Sequence, residues 1–300
     1  RWSSVPARRR NKTPGITMQL FRIDQATGYF PFQACRADRR FSYGVYVPPG
    51  YTREGAAAFR ILVAVHGSER APEVVRELFA EFAQEARCIV LVPLFPVAVT
   101  DDEEVHNYIF LKYRDIRFDR VLLAMVDEVA ERFCVPAGKL WLAGFSGGGQ
   151  FAHRFMYLHA SRLAAVSVGA PGIVNTLDEA CDWFVGVRDV QSQFGQPVDR
   201  DGRQGLPVQV VVGGPDVDSD IVAAPPNVLY RPGVNDAGAT RVERARFLHQ
   251  LLRQAGVDAS LDVVPGAAHA AAHVQLAVNA FFRRLAPDAR RPVVDPLAQG

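Results

Sequence analysis

The sequence predicts an α/β protein, with a mostly parallel sheet covered on its faces by helices. Short, largely apolar runs recur along the chain, amphipathic segments of helical spacing stand between them, and no repeat or low-complexity block interrupts the alternation. Its 300 residues, 49% hydrophobic and 22% charged, supply the apolar material for a buried core, which excludes a disordered or fibrous protein.

The elements follow in order. Phe41, Tyr43, Val45 and Val47 alternate as in a strand until Pro48, Pro49 and Gly50 stop the run. Ile61 to Val65, Cys88 to Val92, Leu140 to Ala143, Ala164 to Val168, Val208 to Val212 and Ser260 to Val264 are apolar enough to be strands buried on both faces. Between them Val75, Leu78, Phe79 and Phe82 fall at i, i+3, i+4 and i+7, and Leu122, Met125, Val126 and Val129 repeat that spacing, with Phe133 one turn on. A helix-compatible run covers Gln150 to Tyr157. Another extends from about Arg241 to Ala255 with Gly256 just past its end, and a last one carries Val274, Val278, Phe281 and Leu285 on one face.

Two segments break the rhythm, Phe95 to Asp119 and Pro171 to Leu206, and both are read as walls or lid of one cleft, because long excursions at strand ends are where binding surfaces sit. The resulting organisation is a single domain over residues 16–288, preceded by a basic arm at 1–15 with Arg1, Arg8, Arg9, Arg10 and Lys12, and followed by a tail at 289–300.

Charge and cysteine content narrow the function classes. With 34 Lys+Arg against 32 Asp+Glu the formal charge is +2, too small for a nucleic-acid partner bound through phosphate neutralisation. The longest stretch free of Asp, Glu, Lys and Arg, Val263 to Phe282, is interrupted by Pro265, Gly266, His269, His273, Gln275 and Asn279, so it is not a membrane span. Compartment stays open between cytoplasm and export, and so does oligomeric state. Cys35, Cys88, Cys134 and Cys181 form no CxxC or zinc pattern and read as buried free thiols.

The chemistry concentrates after the Leu140 to Ala143 run, where Gly144-Phe145-Ser146-Gly147-Gly148-Gly149 leads into a helix. This is G-x-S-x-G in a strand–turn–helix setting, a turn so tight that flanking glycines are needed, and it leaves Ser146 proud of the sheet above a helix N-terminus. A serine hydroxyl needs a base, and the base needs an orienting acceptor. Downstream, Gly213-Gly214-Pro215-Asp216 follows one strand and Pro265-Gly266-Ala267-Ala268-His269 another, giving the chain order Ser, Asp, His. Asp218 and Asp220 compete with Asp216 for the acid, and His273 competes with His269 for the base. The tight turn favours Asp216, and the Pro265-Gly266 loop favours His269. For an oxyanion hole, Gly147 N–H is one donor, and Ser68 N–H, in the His66-Gly67-Ser68 turn, is the other. His66 is expected to position that loop.

On these residues the chain resembles the α/β-hydrolases, specifically small polyester (polyhydroxyalkanoate) depolymerase-like and feruloyl-esterase-like serine hydrolases. The matching pieces are Tyr43 to Tyr51, Val63 to Gly67, Gly144 to Gly149 and Val264 to His269, spread in family order over about residues 40 to 285. The resemblance implies an eight-stranded, mostly parallel sheet with a short irregular cap segment, a Ser146, Asp216, His269 triad, and neither cofactor nor metal. The expected substrate is a carboxylic ester, small-molecule or polymeric, with an extended or polymeric chain preferred over a small buried one, cleaved through an acyl-enzyme. Alternatives are an amide bond in a polyanionic polyamide such as poly(aspartic acid), or a non-catalytic scaffold. His66, Tyr108, Phe110, Tyr113 and Trp183 are candidates for the substrate cleft, and Arg114, Arg117, Arg188, Arg200 and Arg203 supply the charge behind the polyanion alternative.

Overall fold

The computed structural model describes residues 27–101 and 104–286; the basic arm at 1–15 and the tail at 289–300 lie outside them. Within the described residues, strands β1 (Gly28–Ala34), β2 (Ser42–Val47), β3 (Arg60–Val65), β4 (Cys88–Leu94), β7 (Leu140–Phe145), β8 (Leu163–Gly169), β9 (Pro207–Gly213) and β10 (Asp258–Val264) form one sheet, and β5 (Lys112–Tyr113) and β6 (Ile116–Arg117) a small separate ribbon. The helices are α1 (Pro72–Ala86), α2 (Phe118–Phe133), α3 (Gly147–His159), the short α4 (Val190–Phe194), α5 (Arg241–Gln254) and α6 (Ala271–Arg284).

Spatially the sheet runs β1-β2-β4-β3-β7-β8-β9-β10, with β1 and β2 antiparallel to their neighbours and every later pairing parallel. Side chains alternate between two cores. Ile61, Val63 and Val65 join α2, α3 and α5 on one face, whereas Leu62 and Ala64 join α1 and α6 on the other. This double burial explains why the central strands read as unbroken apolar runs. α1 starts at Pro72 and stops at Arg87, which takes a left-handed φ of 51°. α5 is fixed by a capping box in which Thr240 accepts from the Glu243 N–H and the Glu243 carboxylate accepts from the Thr240 N–H.

The order places a switch between β3 and β7: β3 leads to α1 on one face and its neighbour β7 leads to α3 on the other, which opens a crevice at their C-terminal ends. The structure adds two elements to the expected order and shortens a third. The strand β1 was not foreseen; the excursion after β4 ends sooner than Asp119, because α2 begins at Phe118; and a third excursion, residues 214–240 after β9, joins the two that the sequence marked. Among the cysteines, Cys35 and Cys88 are buried and all four are unpaired, but Cys134 is exposed, being the left-handed residue that ends α2, and Cys181 is half-buried.

Candidate active site

At the end of β7 the chain turns into α3 through Ser146, whose φ of 56° and ψ of −117° belong to a strained region that a non-glycine residue adopts only under compulsion. The compulsion comes from both sides of the turn: Ser146 N–H donates to Gly169 O at 2.9 Å, and Ser146 O accepts from Gln150 N–H at 3.0 Å. The result is a half-buried serine whose hydroxyl faces the crevice.

His269 comes to it from the β10–α6 loop. Its Nε2 lies 3.1 Å from Ser146 Oγ and its Nδ1 2.6 Å from Asp216 Oδ2. Since a buried carboxylate can only accept, Nδ1 carries the proton and the Nε2 lone pair is left for the serine hydroxyl. Asp216 is 3% exposed, its N–H bonded to Gly213 O at 3.1 Å. Gly213 is needed for the approach of the two loops, because a Cβ there would collide with Ala267 O. The competing residues lie elsewhere: Asp218 and His273 are exposed, and Asp220 pairs with Arg241 at 2.9 Å. Arg241, the first residue of α5, also reaches Asp216 Oδ1 at 3.5 Å, a contact that the sequence did not announce.

On the opposite side of Ser146 stands the turn after β3. A Cβ built on Gly147 would lie 3.2 Å from Ser68 N and would collide with Tyr108 Oη, so the start of α3 presses directly on this turn. The two proposed oxyanion donors thus belong to adjacent backbone. His66 shapes the turn and does not touch the crevice: it is fully buried, its Nδ1–H donates to Gly67 O at 2.8 Å, and its Nε2 accepts from Phe95 N–H at 3.1 Å. Burial drives its pKa down to about 4, so the ring is neutral. Tyr108 is likewise fully buried, its hydroxyl donating to His66 O at 3.1 Å. As cleft residues both are corrected; each shapes the turn from beneath.

Phe110 and Tyr113 line a cleft of about 1020 Å³, together with Phe184 and the charged Asp101, Glu104, Arg114 and Arg231. Arg70 ties this cleft to the Ser68 turn by donating to Ser68 O at 2.9 Å and to Val105 O at 2.5 Å. Trp183 supports the wall from behind, its indole N–H bonded to Phe110 O at 2.8 Å. Beneath the cleft, Arg154 of α3 is fully buried with no carboxylate partner among the described residues. Its guanidinium donates to Ile109 O and Ile173 O, one carbonyl from each of two excursions, and lies under the rings of Phe110 and Phe184. Of the five arginines expected to give the cleft charge, Arg114, Arg117, Arg188 and Arg200 are paired with Asp101, Asp119, Asp182 and Glu179, and Arg203 is buried. Among the described residues no group of three or more His, Cys, Asp or Glu is placed to hold a metal ion, and no helix is long and apolar enough to cross a membrane.

No protein-family model and no curated protein matches this sequence. Solved structures do match. A poly(3-hydroxybutyrate) depolymerase from Bordetella parapertussis is 21% identical with a TM-score of 0.68, over 89% of this chain and 96% of that one. Poly(aspartic acid) hydrolase-1 from Sphingomonas sp. KT-1 is 21% identical with a TM-score of 0.65, over 80% and 92%. A ferulic acid esterase is 13% identical with a TM-score of 0.58, over 87% and 98%. The chain has the α/β-hydrolase fold.

Within an α/β-hydrolase fold each candidate group leaves the C-terminal end of its own parallel strand: Ser68 after β3, Ser146 after β7, Asp216 after β9 and His269 after β10. Sequence reasoning missed Arg241, Phe184 and Arg231. The aromatic and basic character of the last two was visible, but nothing in the local sequence tells which excursion folds over which.

Proposed function

We propose that the protein is a serine hydrolase that cleaves carboxylic esters through an acyl-enzyme. Ser146 Oγ attacks the ester carbonyl as His269 Nε2 takes its proton, and the same imidazolium then returns that proton to the departing alkoxide. Asp216 holds Nδ1–H and stabilises the imidazolium. Ser68 N–H and Gly147 N–H receive the oxyanion of the tetrahedral intermediate, with the positive end of α3 beneath it. Water, activated by His269 in the reverse sense, releases the acid.

The observation that carries this reading is the unbroken chain from Asp216 Oδ2 to His269 Nδ1 at 2.6 Å and from His269 Nε2 to Ser146 Oγ at 3.1 Å, built on a strained nucleophile turn. A cleft of about 1020 Å³, joined to the Ser68 turn through Arg70, would suit an extended or polymeric acyl chain. Depolymerase and esterase neighbours are consistent with that class. A second reading, cleavage of an amide in a polyanionic chain, is favoured by Arg231, which lines the cleft, against Asp101 and Glu104 in the same lining, and whose guanidinium donates to the carbonyls of Val228 and Tyr230. The neighbour named as a poly(aspartic acid) hydrolase is consistent with it.

Turnover of p-nitrophenyl esters, a polyester emulsion and poly(aspartic acid) by wild type and Ser146→Ala tests these readings together. Ester hydrolysis that falls at least about a thousandfold in the folded variant is expected. Hydrolysis of poly(aspartic acid) alone would replace the first reading by the second, and no turnover of any substrate would leave a non-catalytic scaffold.

A further inference from the structure

The carboxylate that orients His269 has a second partner. Asp216 presents Oδ2 to the imidazole, and its Oδ1 faces Arg241 Nη1 at 3.5 Å. That same Nη1 lies 2.9 Å from Asp220 Oδ1, while Nη2 reaches Asp220 Oδ2 at 3.5 Å. The two carboxylates differ sharply in setting: the Asp216 side chain is 1% exposed, Arg241 12%, and Asp220 65%. A guanidinium is therefore suspended between a buried carboxylate bonded to the active histidine and a surface carboxylate that draws it outward.

We infer that Arg241, balanced by Asp220, is a positioning residue for Asp216 that sets the pH range over which His269 accepts a proton. The inference rests on the serine hydrolase reading. Two physical effects act through Asp216. The guanidinium fixes the rotation of the carboxylate, so that one oxygen is committed to His269. Its charge also offsets part of the negative charge that Asp216 presents to the imidazolium formed during the reaction. Asp220 weakens that offset by sharing the guanidinium. Other charged groups nearby are Glu243 and Arg244 on α5, the Arg244 pKa being lowered first by burial and then by the charge of Arg241, and Asp218, which is exposed on the same loop as Asp216. The β10–α6 loop contributes His269 and the β7–α3 turn Ser146.

The consequence has opposite signs for the two partners, which a merely structural role would not produce. Removing the cation should move the acid limb of the rate profile to higher pH; removing its surface competitor should move it to lower pH. The experiment measures kcat/KM for a p-nitrophenyl ester against pH and, without reference to any natural substrate, the second-order rate of inactivation by a fluorophosphonate against pH. Arg241→Gln is expected to shift the midpoint of the acid limb upward by about half to one pH unit, and Asp220→Asn downward by a few tenths. Arg241→Lys should return the midpoint toward wild type. The Asp220→Asn shift should shrink in 1 M salt, since that carboxylate is exposed. Midpoints that do not move, or that move in the same direction in both variants, overturn the inference while leaving the hydrolase reading intact. A wild-type protein that neither turns over esters nor reacts with the fluorophosphonate overturns both.

Discussion

Substituting one side chain at a time separates the groups that meet at the sheet edge from their sequence neighbours. Asp216→Asn and His269→Ala are expected to lower kcat/KM by several orders of magnitude, whereas Asp218→Asn and His273→Ala, both on exposed side chains, should cost less than about threefold. Steady-state kinetics on a p-nitrophenyl ester checks all four; an essential Asp218 would mean that the β9 turn presents a different carboxylate. A second expectation concerns His66. Its folded-state pKa of about 4 lies below the ordinary 6.5 because the neutral ring is buried, so between these values the unfolded chain binds more protons than the folded one. The stability contributed is complete above about pH 6.5, falls as the pH drops toward 4, and amounts to about 3 kcal/mol. Buried His153 has its pKa lowered in the same direction, first by burial and then by Arg154, and adds to the slope. Urea unfolding at pH 7, 5.5 and 4.5 should show this decline, and His66→Gln should flatten it; an unchanged slope in the variant would contradict the assignment. That Ser146, Asp216 and His269 would meet was legible in the sequence because a strand–turn–helix with glycines around one serine admits few alternatives. Arg241 and Asp220 were not, because their contact depends on how residues 214–240 return to the sheet, which no short motif encodes.

At the scale of elements, the start of α3 is held against the His66-Gly67-Ser68 turn and against the 3-10 turn Tyr108–Phe110 by the absence of a side chain at Gly147. Gly147→Ala should place a methyl group against Tyr108 Oη and destabilise the fold by about 2 kcal/mol, a Tm decrease of roughly 4 °C. Tyr108→Phe removes the atom in the way. The double variant should then be more stable than the sum of the two single changes allows, and additive thermal shifts would show that the contact is not the cause. The central strands β3, β4, β7, β8 and β9 were legible as apolar runs since both of their faces are covered. β1 escaped detection for the opposite reason. It is an edge strand of half-exposed and exposed residues, with Pro31 inside it and an irregularity in register between Phe30 and Gln33, so neither alternation nor a continuous apolar run marks it. The excursion at 214–240 was missed because the turn at Asp216 and the helix at Arg241 were read separately, without counting what lies between.

For the molecule as a whole, four of the five arginines that suggested a charged cleft are occupied by carboxylates of their own segments, and the cleft mixes the apolar Phe110, Phe184 and Leu229 with both signs of charge, Asp101 and Glu104 beside Arg114 and Arg231. Hydrolysis of a neutral ester should therefore change by less than about twofold between 0.1 and 1 M salt, where the Debye length falls from about 10 to about 3 Å. A steep loss of kcat/KM over that range would point instead to an anionic substrate held by charge. The fold class, the order of strands and the residues at the sheet edge all lead to one central claim, that Ser146 carries an activated hydroxyl. Its most direct measurement is treatment of the folded protein with a fluorophosphonate, followed by digestion and mass spectrometry of the modified peptide. A single adduct on Ser146, abolished by Ser146→Ala and strongly slowed by His269→Ala, is the expected result; no adduct, or an adduct on another residue at comparable rate, would contradict it.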